Sequence, residues 1–346
     1  MSLNAKSITD LVLATQEKLI NRGAFLDMQT DLQDHVAIRE MWKAKRKKFS
    51  GGLDWRFDAQ IDHNHSARAV GLYEPDASGM NDTLIKGIVP PRHINAHYIF
   101  DVREPALQQG GVSVVDFVMS KKVAMQVSFF ELLEHYLWNK PTDSSDVKTP
   151  WGIPYWITKG SNGEEGFVGG NPAGFTGGRG GIDSGTYTRY KNYFADYADV
   201  SKTDLLRKMR KAHRQTQFRS PVSHSNPSMS MGNGIYTTDS VIGILEELLE
   251  DQNMNLGNDL ASKEGKSVFK GTPVQWAPKL DEDVENPVYM LDWKHLGVGV
   301  LAGWEDNLTA PYMVAGKHNV RRVDMDVTLN MCGLDIRRQA VLAVVS

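Results

Sequence analysis

The stretch GFVGGNPAGFTGGRGGIDSG, residues 166 to 185, carries nine glycines in twenty positions, and the chemistry that such a density first suggests is the cradling of a phosphate. A dinucleotide fingerprint sets glycines at the first, third and sixth places between a strand and a helix, because the backbone there must close on a pyrophosphate. Counting from Gly178 and Gly180, the sixth place is Asp183. No alternating strand leads into the run, and YTRYKNYFADY after it does not open a helix. The other phosphate cradle needs a glycine, four residues, then Gly-Lys-Ser/Thr. Gly265, Lys266 and Ser267 supply the end of that pattern, but Leu260 stands where its first glycine belongs. Both nucleotide sites fail on spacing. Glycine here is expected to serve the backbone instead, since it permits positive φ and has no side chain to clash, letting the chain bend and pass close to neighbours.

Other chemistries fare no better. His63 and His65 project to one side of an extended chain and could join His93 or His97 as metal ligands, but no cysteine or carboxylate pattern completes a site, so solvated or hydrogen-bonded histidines are expected. Asp281 to Glu285, DEDVE, lacks the alternating ligands and central glycine of a calcium loop and reads as a solvated turn. No Gly-x-Ser-x-Gly elbow occurs. Cys332 is the one cysteine; it has no neighbouring basic motif to lower its pKa, and alone it forms neither an internal disulfide nor a multi-cysteine zinc site. The expectation is no catalytic residue, no cofactor-binding residue, no metal ligand and no cofactor.

The elements that would position any site tell more. Ser7 and Asp10 form a capping box for a helix with Ile8, Leu11, Val12 and Leu19 on one side and Gly23 as its stop. Lys43, Lys45, Arg46, Lys47 and Lys48 make the densest basic run, read as a solvated face or, alternatively, as a contact to nucleic acid or an acidic neighbour. Leu53, Trp55, Phe57, Ala59 and Ile61 alternate with polar residues, and Ile94, Ala96, Tyr98, Phe100 and Val102 do the same, each predicting a half-buried strand. Residues 62 to 93 between them show little periodicity. A connection of that length is uncommon inside a compact domain and is expected to be an arm packed on another subunit, the alternative being a flexible surface loop.

Residues 112 to 139 carry Val115, Met119, Val123, Val127, Phe130, Leu133 and Leu137 at helical spacing, closed by Lys140 and Pro141. That predicts a long spine helix. TPWGIPYWITKG after it reads as strand-like. Ser201 and Asp204 cap a helix with a basic exposed side, and Asp239 opens one with an acidic exposed side. Their opposite charges suit neighbouring subunits around a symmetry axis, though solvated faces explain them equally. The rest is mainly β: TPVQWAPKLDEDVENPVYMLDW predicts two strands joined by an acidic turn. Val323, Met325, Val327, Leu329 and Met331 alternate with Asp324, Asp326, Thr328 and Asn330, and QAVLAVV fits a buried strand.

Composition bounds the class. The 346 residues are 41% hydrophobic and 23% charged with a net charge of −3, which lacks the basic footprint of a dedicated nucleic-acid reader. No apolar run reaches the roughly 18 residues of a membrane span. The opening residues lack the order of a signal peptide, so work in a cytosol is expected. There are no internal repeats.

Several segments together, TPWGIPYWITKG, SKTDLLRKMRKA, GIYTTDSVIGILEELLEDQNMNLGNDLA, GTPVQWAPKLD, NPVYMLDW and HNVRRVDMDVTLNMCGLDIRRQAVL, with KKFSGGLDWRFDAQIDHNHSARAVGLYE near the front, resemble the major capsid proteins of tailed bacteriophages, which have the Hong Kong 97 fold. The resemblance implies an α+β chain with an N-terminal arm over 1–48, an extended E-loop hairpin over 49–104 and a P-domain with the spine helix over 105–145. An A-domain over 146–315 and closing P-domain strands over 316–346 complete it.

It further implies a structural, non-enzymatic virion protein. Such a chain assembles with itself into the pentamers and hexamers of an icosahedral shell enclosing double-stranded DNA without sequence-specific binding. The near-neutral charge suits a container that confines DNA without gripping it. A portal, a separate scaffolding protein and a possible decoration protein are the other partners implied, with assembly in the host cytoplasm and no membrane. The Lys-to-Asn cross-link of some members cannot be matched onto this chain. An encapsulin-type compartment shell is the alternative within the same architecture, and a nucleotide-binding enzyme with a glycine-rich loop is the remote one.

Overall fold

The computed structural model describes residues 36, 46–60, 62, 67–73, 83–103, 111–217, 232–253, 268–305 and 307–345. The helix expected from Ser7 to Gly23, together with Lys43, Lys45, His63, His65 and Gly265 to Ser267, lies outside them. In chain order the first elements are β1 (Arg46–Phe49), β2 (Trp55–Gln60), β3 (Leu84–Val89), β4 (Arg92–Asp101), α1 (Gly111–Leu137), α2 (Ile153–Trp156), β5 (Glu165–Gly169) and β6 (Asn192–Asp196). There follow α3 (Leu205–Thr216), β7 (Asn233–Thr237), α4 (Asp239–Asn253), β8 (Val268–Phe269), β9 (Thr272–Trp276), β10 (Val288–Asp292), β11 (Leu296–Leu301), β12 (Asn307–Leu308), β13 (Tyr312–Val314), β14 (Lys317–Gly333) and β15 (Ala340–Ala343).

The 17-residue β14 organises one half. Its apolar set Val323, Met325, Val327, Leu329 and Met331 is buried as the alternation predicts. The interleaved polar residues Asp324, Thr328 and Asn330 are buried too, each with polar partners: Arg322 and Tyr312 for Asp324, His93 for Thr328, and the Trp151 amide and Pro90 carbonyl for Asn330. β4 runs antiparallel along one edge from Val320↔Asp101 to Leu329↔Arg92, and β11, β12 and β13 share the other. Strand 92–101, grouped on sequence with the hairpin, is thus hydrogen-bonded to the closing strand. The spine helix α1 lies against β4. Its buried stripe is Met125, Phe129, Leu133 and Leu137, whereas Val123, Val127 and Phe130 are half-buried. The buried arc swings toward Trp138, whose Nε1 donates to buried Glu134 Oε1 at 2.7 Å.

The other half is a mixed sheet in the order β5-β6-β15-β10-β7-β9-β8. Its central strands are apolar on both sides and divide their residues between two cores. Phe194, Tyr236, Tyr289, Leu291, Val341 and Ala343 join the large core shared with α1 and β14, and Tyr193, Ile235, Val288, Met290, Ala340 and Leu342 join a second core under α3 and α4. QAVLAVV is the buried strand that its composition predicts, β15, and sits between β6 and β10.

TPWGIPYWITKG contains a helical turn, α2, where a strand is expected. Pro154 fits the first turn of a helix, where its missing N–H costs nothing. Close packing does the rest: a Cβ on Gly152 would lie 2.1 Å from the Asn139 carbonyl oxygen, and Trp151, Tyr155 and Trp156 pack ring on ring. Among the described residues no helix is long and apolar enough to cross a membrane.

Candidate assembly surfaces

The apolar face of LDWRFDAQ forms β2 with the predicted alternation, Trp55 buried, Phe57 and Ala59 half-buried and the polar residues exposed. Its partner is a strand that the sequence did not announce. β3 lies inside the expected 62–93 connection and pairs antiparallel with β2 from Trp55↔Val89 to Gln60↔Leu84. LIKGIV hides its period because Lys86 and Gly87 interrupt it, and Gly87 is needed: it sits opposite Phe57, whose ring would lie 2.2 Å from any added Cβ. Among the described residues the two strands form a sheet of their own.

The root of this hairpin is fixed in three ways. Trp55 and Val89 are buried in the large core. The Phe49 ring stacks on Trp55 at 4.6 Å over Gly299, where a Cβ would meet Phe49 at 2.5 Å. The Ile88 amide donates to the Gly180 carbonyl at 2.8 Å. Apolar residues nevertheless meet solvent both beside the root and beyond it: Leu53 is 92% exposed, Leu72 93% and Tyr73 100%, and Leu84 and Ile88 are exposed as well. Among the described residues nothing covers these apolar groups, which makes them a candidate partner surface.

The glycine-rich loop is the hairpin's anchor. Gly178, Gly180 and Gly181 have φ of 80°, 58° and 81°, and Gly178 and Gly180 are buried. A Cβ on Gly178 would stand 2.0 Å from the Ile182 carbonyl oxygen. Between these glycines Arg179 turns inward and is fully buried. Its Nη2 donates to Thr158 Oγ1 at 2.6 Å, Asn192 Oδ1 at 2.9 Å, the Gly169 carbonyl at 3.0 Å and the Gly170 carbonyl. A phosphate cradle turns backbone N–H groups inward; this loop turns carbonyls inward, onto its own cation. Burial without a carboxylate pulls the guanidinium down to about 10, still charged at neutral pH. Sequence reasoning passed over Arg179 because one arginine among glycines carries no period.

The remaining candidates are absorbed into the frame. His93 Nδ1 lies 2.8 Å from Thr328 Oγ1, and His97 is exposed on β4. Among the described residues no group of three or more His, Cys, Asp or Glu side chains is placed to hold a metal ion. The DEDVE turn is not simply solvated. Asp281 accepts from the Asp239 amide and from Trp276 Nε1, each at 2.8 Å, while Lys159 Nζ bonds Asp283 at 2.6 Å and also Glu285. The described part of the basic run, Arg46 to Lys48, is β1, paired parallel with β11, with Lys48 bonded to Glu305. Cys332 is buried, which pushes its thiol up to about 12.

No protein-family model matches the chain, and no curated protein matches it in sequence. Solved structures match along its length. The chain is similar to the Cyanophage A-1(L) capsid asymmetric unit, with TM-score 0.61 and 12% identity over 96% of this chain and 99% of that one. It is similar to the capsid of the native GTA particle computed with C5 symmetry, with TM-score 0.54 and 11% identity over 100% of both chains. The holo-SrpI encapsulin complex from Synechococcus elongatus PCC 7942 follows, with TM-score 0.52 and 9% identity over 100% of this chain and 97% of that one. The fold is therefore the one the sequence resemblance implied, the α+β capsid fold of the Hong Kong 97 type.

Proposed function

We propose that the chain is a major capsid protein of a tailed bacteriophage, self-assembling into an icosahedral shell that encloses double-stranded DNA. The observation that carries this reading is the β2–β3 hairpin, rooted by Trp55 and the Ile88–Gly180 bond yet presenting apolar residues that are exposed among the described residues. A chain that lays such a hairpin on its neighbour buries surface beyond the roughly 1,600 Å² of a standard interface. Its role in this reading is structural, and its place is the virion, reached by assembly in the host cytoplasm. From the expected division, arm 1–48, E-loop 49–104, P-domain 105–145 and 316–346 and A-domain 146–315, this reading moves β4 and β11–β13 into the P-domain because they pair with β14. It moves β15 into the A-domain because it pairs with β6 and β10. The seven-stranded sheet with α3 and α4 forms the A-domain. A portal, a separate scaffolding protein and a possible decoration protein complete the partners.

A second reading keeps the architecture and changes the content: a compartment shell, favoured by the likeness to an encapsulin complex. The phage reading is preferred because the similar structures include the capsids of a cyanophage and of Myoviridae Phage XM1. Electron microscopy of the expressed protein, alone and with candidate scaffolds, tests both. Closed shells support assembly, nuclease-protected DNA in native particles supports the phage reading, and a co-purified enclosed enzyme supports the compartment. A protein that stays monomeric under every such condition overturns the proposal.

A further inference from the structure

α3 and α4 lie on the same face of the seven-stranded sheet, since Leu205, Met209 and Ala212 of α3 and Val241 and Leu245 of α4 share one core. α3 covers β6 and β15 and carries His213 to the Phe269 ring of β8, 6.2 Å between ring centroids, while α4 covers β9. Their outer faces carry opposite charge. On α3, Arg207, Arg210 and Arg214 recur at three and four residues, which is one stripe of a helix, and all are exposed. None of the three makes an ion pair with a described residue, whereas Lys208 and Lys211, on the flank of the same helix, are paired with Asp204 and Glu165.

On α4 the outer face offers Asp239, Glu246 and Glu247, all exposed, with Gly243 between them and Ile244 beside it, 41% exposed. Gly243 has no internal reason to be glycine. Its φ is not positive, and a Cβ there would meet nothing within 4 Å. A glycine inside a helix weakens it relative to alanine, so a shallow notch flanked by carboxylates is explained by something that approaches from outside.

We infer that the arginine stripe of α3 docks on the acidic, glycine-notched face of α4 in a second copy of this chain. Because the two faces belong to two different helices of one layer, each copy offers one of each. Such a head-to-tail contact repeats from copy to copy and closes into a ring when the rotation between copies allows. Charge complementarity of this kind fixes the register and excludes the like-charged pairings, α3 on α3 and α4 on α4. The inference rests on the self-assembly reading and adds which faces meet.

The test uses full-length protein in four forms: wild type, a triple variant Arg207→Glu, Arg210→Glu, Arg214→Glu, a double variant Glu246→Arg, Glu247→Arg, and the five substitutions combined. Circular dichroism confirms folding, and sedimentation with electron microscopy reads rings and shells. The triple and the double variants are expected to lower assembly at least tenfold. The combined variant, which swaps the two charges, restores it to within about threefold of wild type. Folded triple and double variants that assemble like wild type overturn the inference and leave the capsid reading standing. The inference falls likewise if both fail and the combined variant fails with them. A wild type that never assembles overturns the capsid reading itself, and this inference with it.

Discussion

The amide of Ile88 donates to the carbonyl of Gly180 at 2.8 Å, while the amide of Gly180 donates to Tyr155 Oη at 3.0 Å. One glycine thus links the hairpin, through both of its backbone groups, to the aromatic cluster of α2. Ile88 belongs to a strand of six residues that pairs with one other strand of six, and a two-stranded sheet is marginal on its own in water. Its direction relative to the body therefore depends on the stiffness of the loop beneath it.

That dependence predicts a graded glycine series. Gly178→Ala places a Cβ 2.0 Å from a backbone oxygen at a φ of 80°, and the peptide of Ile182 has no flexible end to move aside. Left-handed backbone alone costs a non-glycine residue about 1–2 kcal/mol. Gly180→Ala, 3.3 Å from the Ile88 oxygen and the Trp156 ring, is milder. Gly177→Ala, exposed and with nothing within 4 Å, stays near wild type. Melting temperatures of unassembled subunits should fall in that order, Gly178→Ala lowest, and equal values for Gly178→Ala and Gly177→Ala would refute the packing argument.

The buried arginine supplies a second expectation. Replacing Arg179 by Met keeps much of the volume and removes a donor from the buried Gly169 carbonyl, which costs about 1–3 kcal/mol when left unmade, whereas the Gly170 carbonyl keeps Thr158 Oγ1 as a donor at 2.9 Å. Against this stands the relief of a desolvated cation, whose Nε and Nη1 find no partner. The two N–H groups of Nη2, shared among four acceptors, outweigh the idle Nε and Nη1, so Arg179→Met is expected to be destabilised by roughly 1–2 kcal/mol in urea unfolding of the subunit. An unchanged midpoint would show that desolvation cancels the bonds.

Much of this frame was legible in the residues, and the exceptions share causes. β2 follows its alternation, β14 buries the apolar set that its alternation marked, and β15 is the continuous apolar run, buried at every position, that its composition predicts. β3 was not legible because the residue opposite Phe57 had to be glycine, which erased the period. α2 was not legible because four residues, with Pro154 among them, are too few to show a helical repeat. Asn330 looked like one more solvent-facing polar residue. In fact it is buried, its Oδ1 accepting from the Trp151 amide at 2.8 Å and its Nδ2 donating to the Pro90 carbonyl at 2.6 Å. Only tertiary contact could say so. The proposed assembly surfaces were visible as unexplained remainders: a long aperiodic connection and two helices of opposite charge.

Acid sensitivity should centre on Asp183. Its carboxylate accepts from Asn171 Nδ2 at 2.7 Å, the Gly185 amide at 2.8 Å and Thr186 Oγ1 at 2.8 Å, which together hold it well below the usual carboxylate range. A depressed folded pKa means that the stabilisation is present in full above the unfolded value, near 3.9, and is lost as pH falls through the folded one. Asp183→Asn should therefore melt below wild type at neutral pH, and the gap should narrow as pH falls below about 4. A gap that stays constant down to the lowest pH at which the protein folds would assign the effect to shape.

Cys332 should behave as an inert side chain. At pH 8 a thiol near 12 is ionised in about 1 molecule in 10⁴, and burial shields the sulfur as well. Folded subunits should resist a thiol-specific disulfide reagent for hours, and denatured ones should titrate one thiol at once. Rapid labelling of the native protein would mean that the β11–β14 pairing over Cys332 opens, since Gly297 faces it in the register.

Affinity for DNA provides the sharpest discrimination between a container and a reader. A net charge of −3 leaves local stripes as the cationic features, and Arg207, Arg210 and Arg214 are one such stripe on an element of known structure. Three phosphate contacts support a log–log salt slope of roughly −3, against about −10 for a strong binder. Purified, unassembled subunits should bind duplex DNA more weakly than micromolar at physiological salt, with a slope no steeper than about −3. The Arg207→Glu, Arg210→Glu, Arg214→Glu variant should abolish the residue of binding that remains. Submicromolar affinity, or binding that survives this variant with its slope intact, would place DNA recognition elsewhere on the chain and contradict a shell that confines its content without holding it.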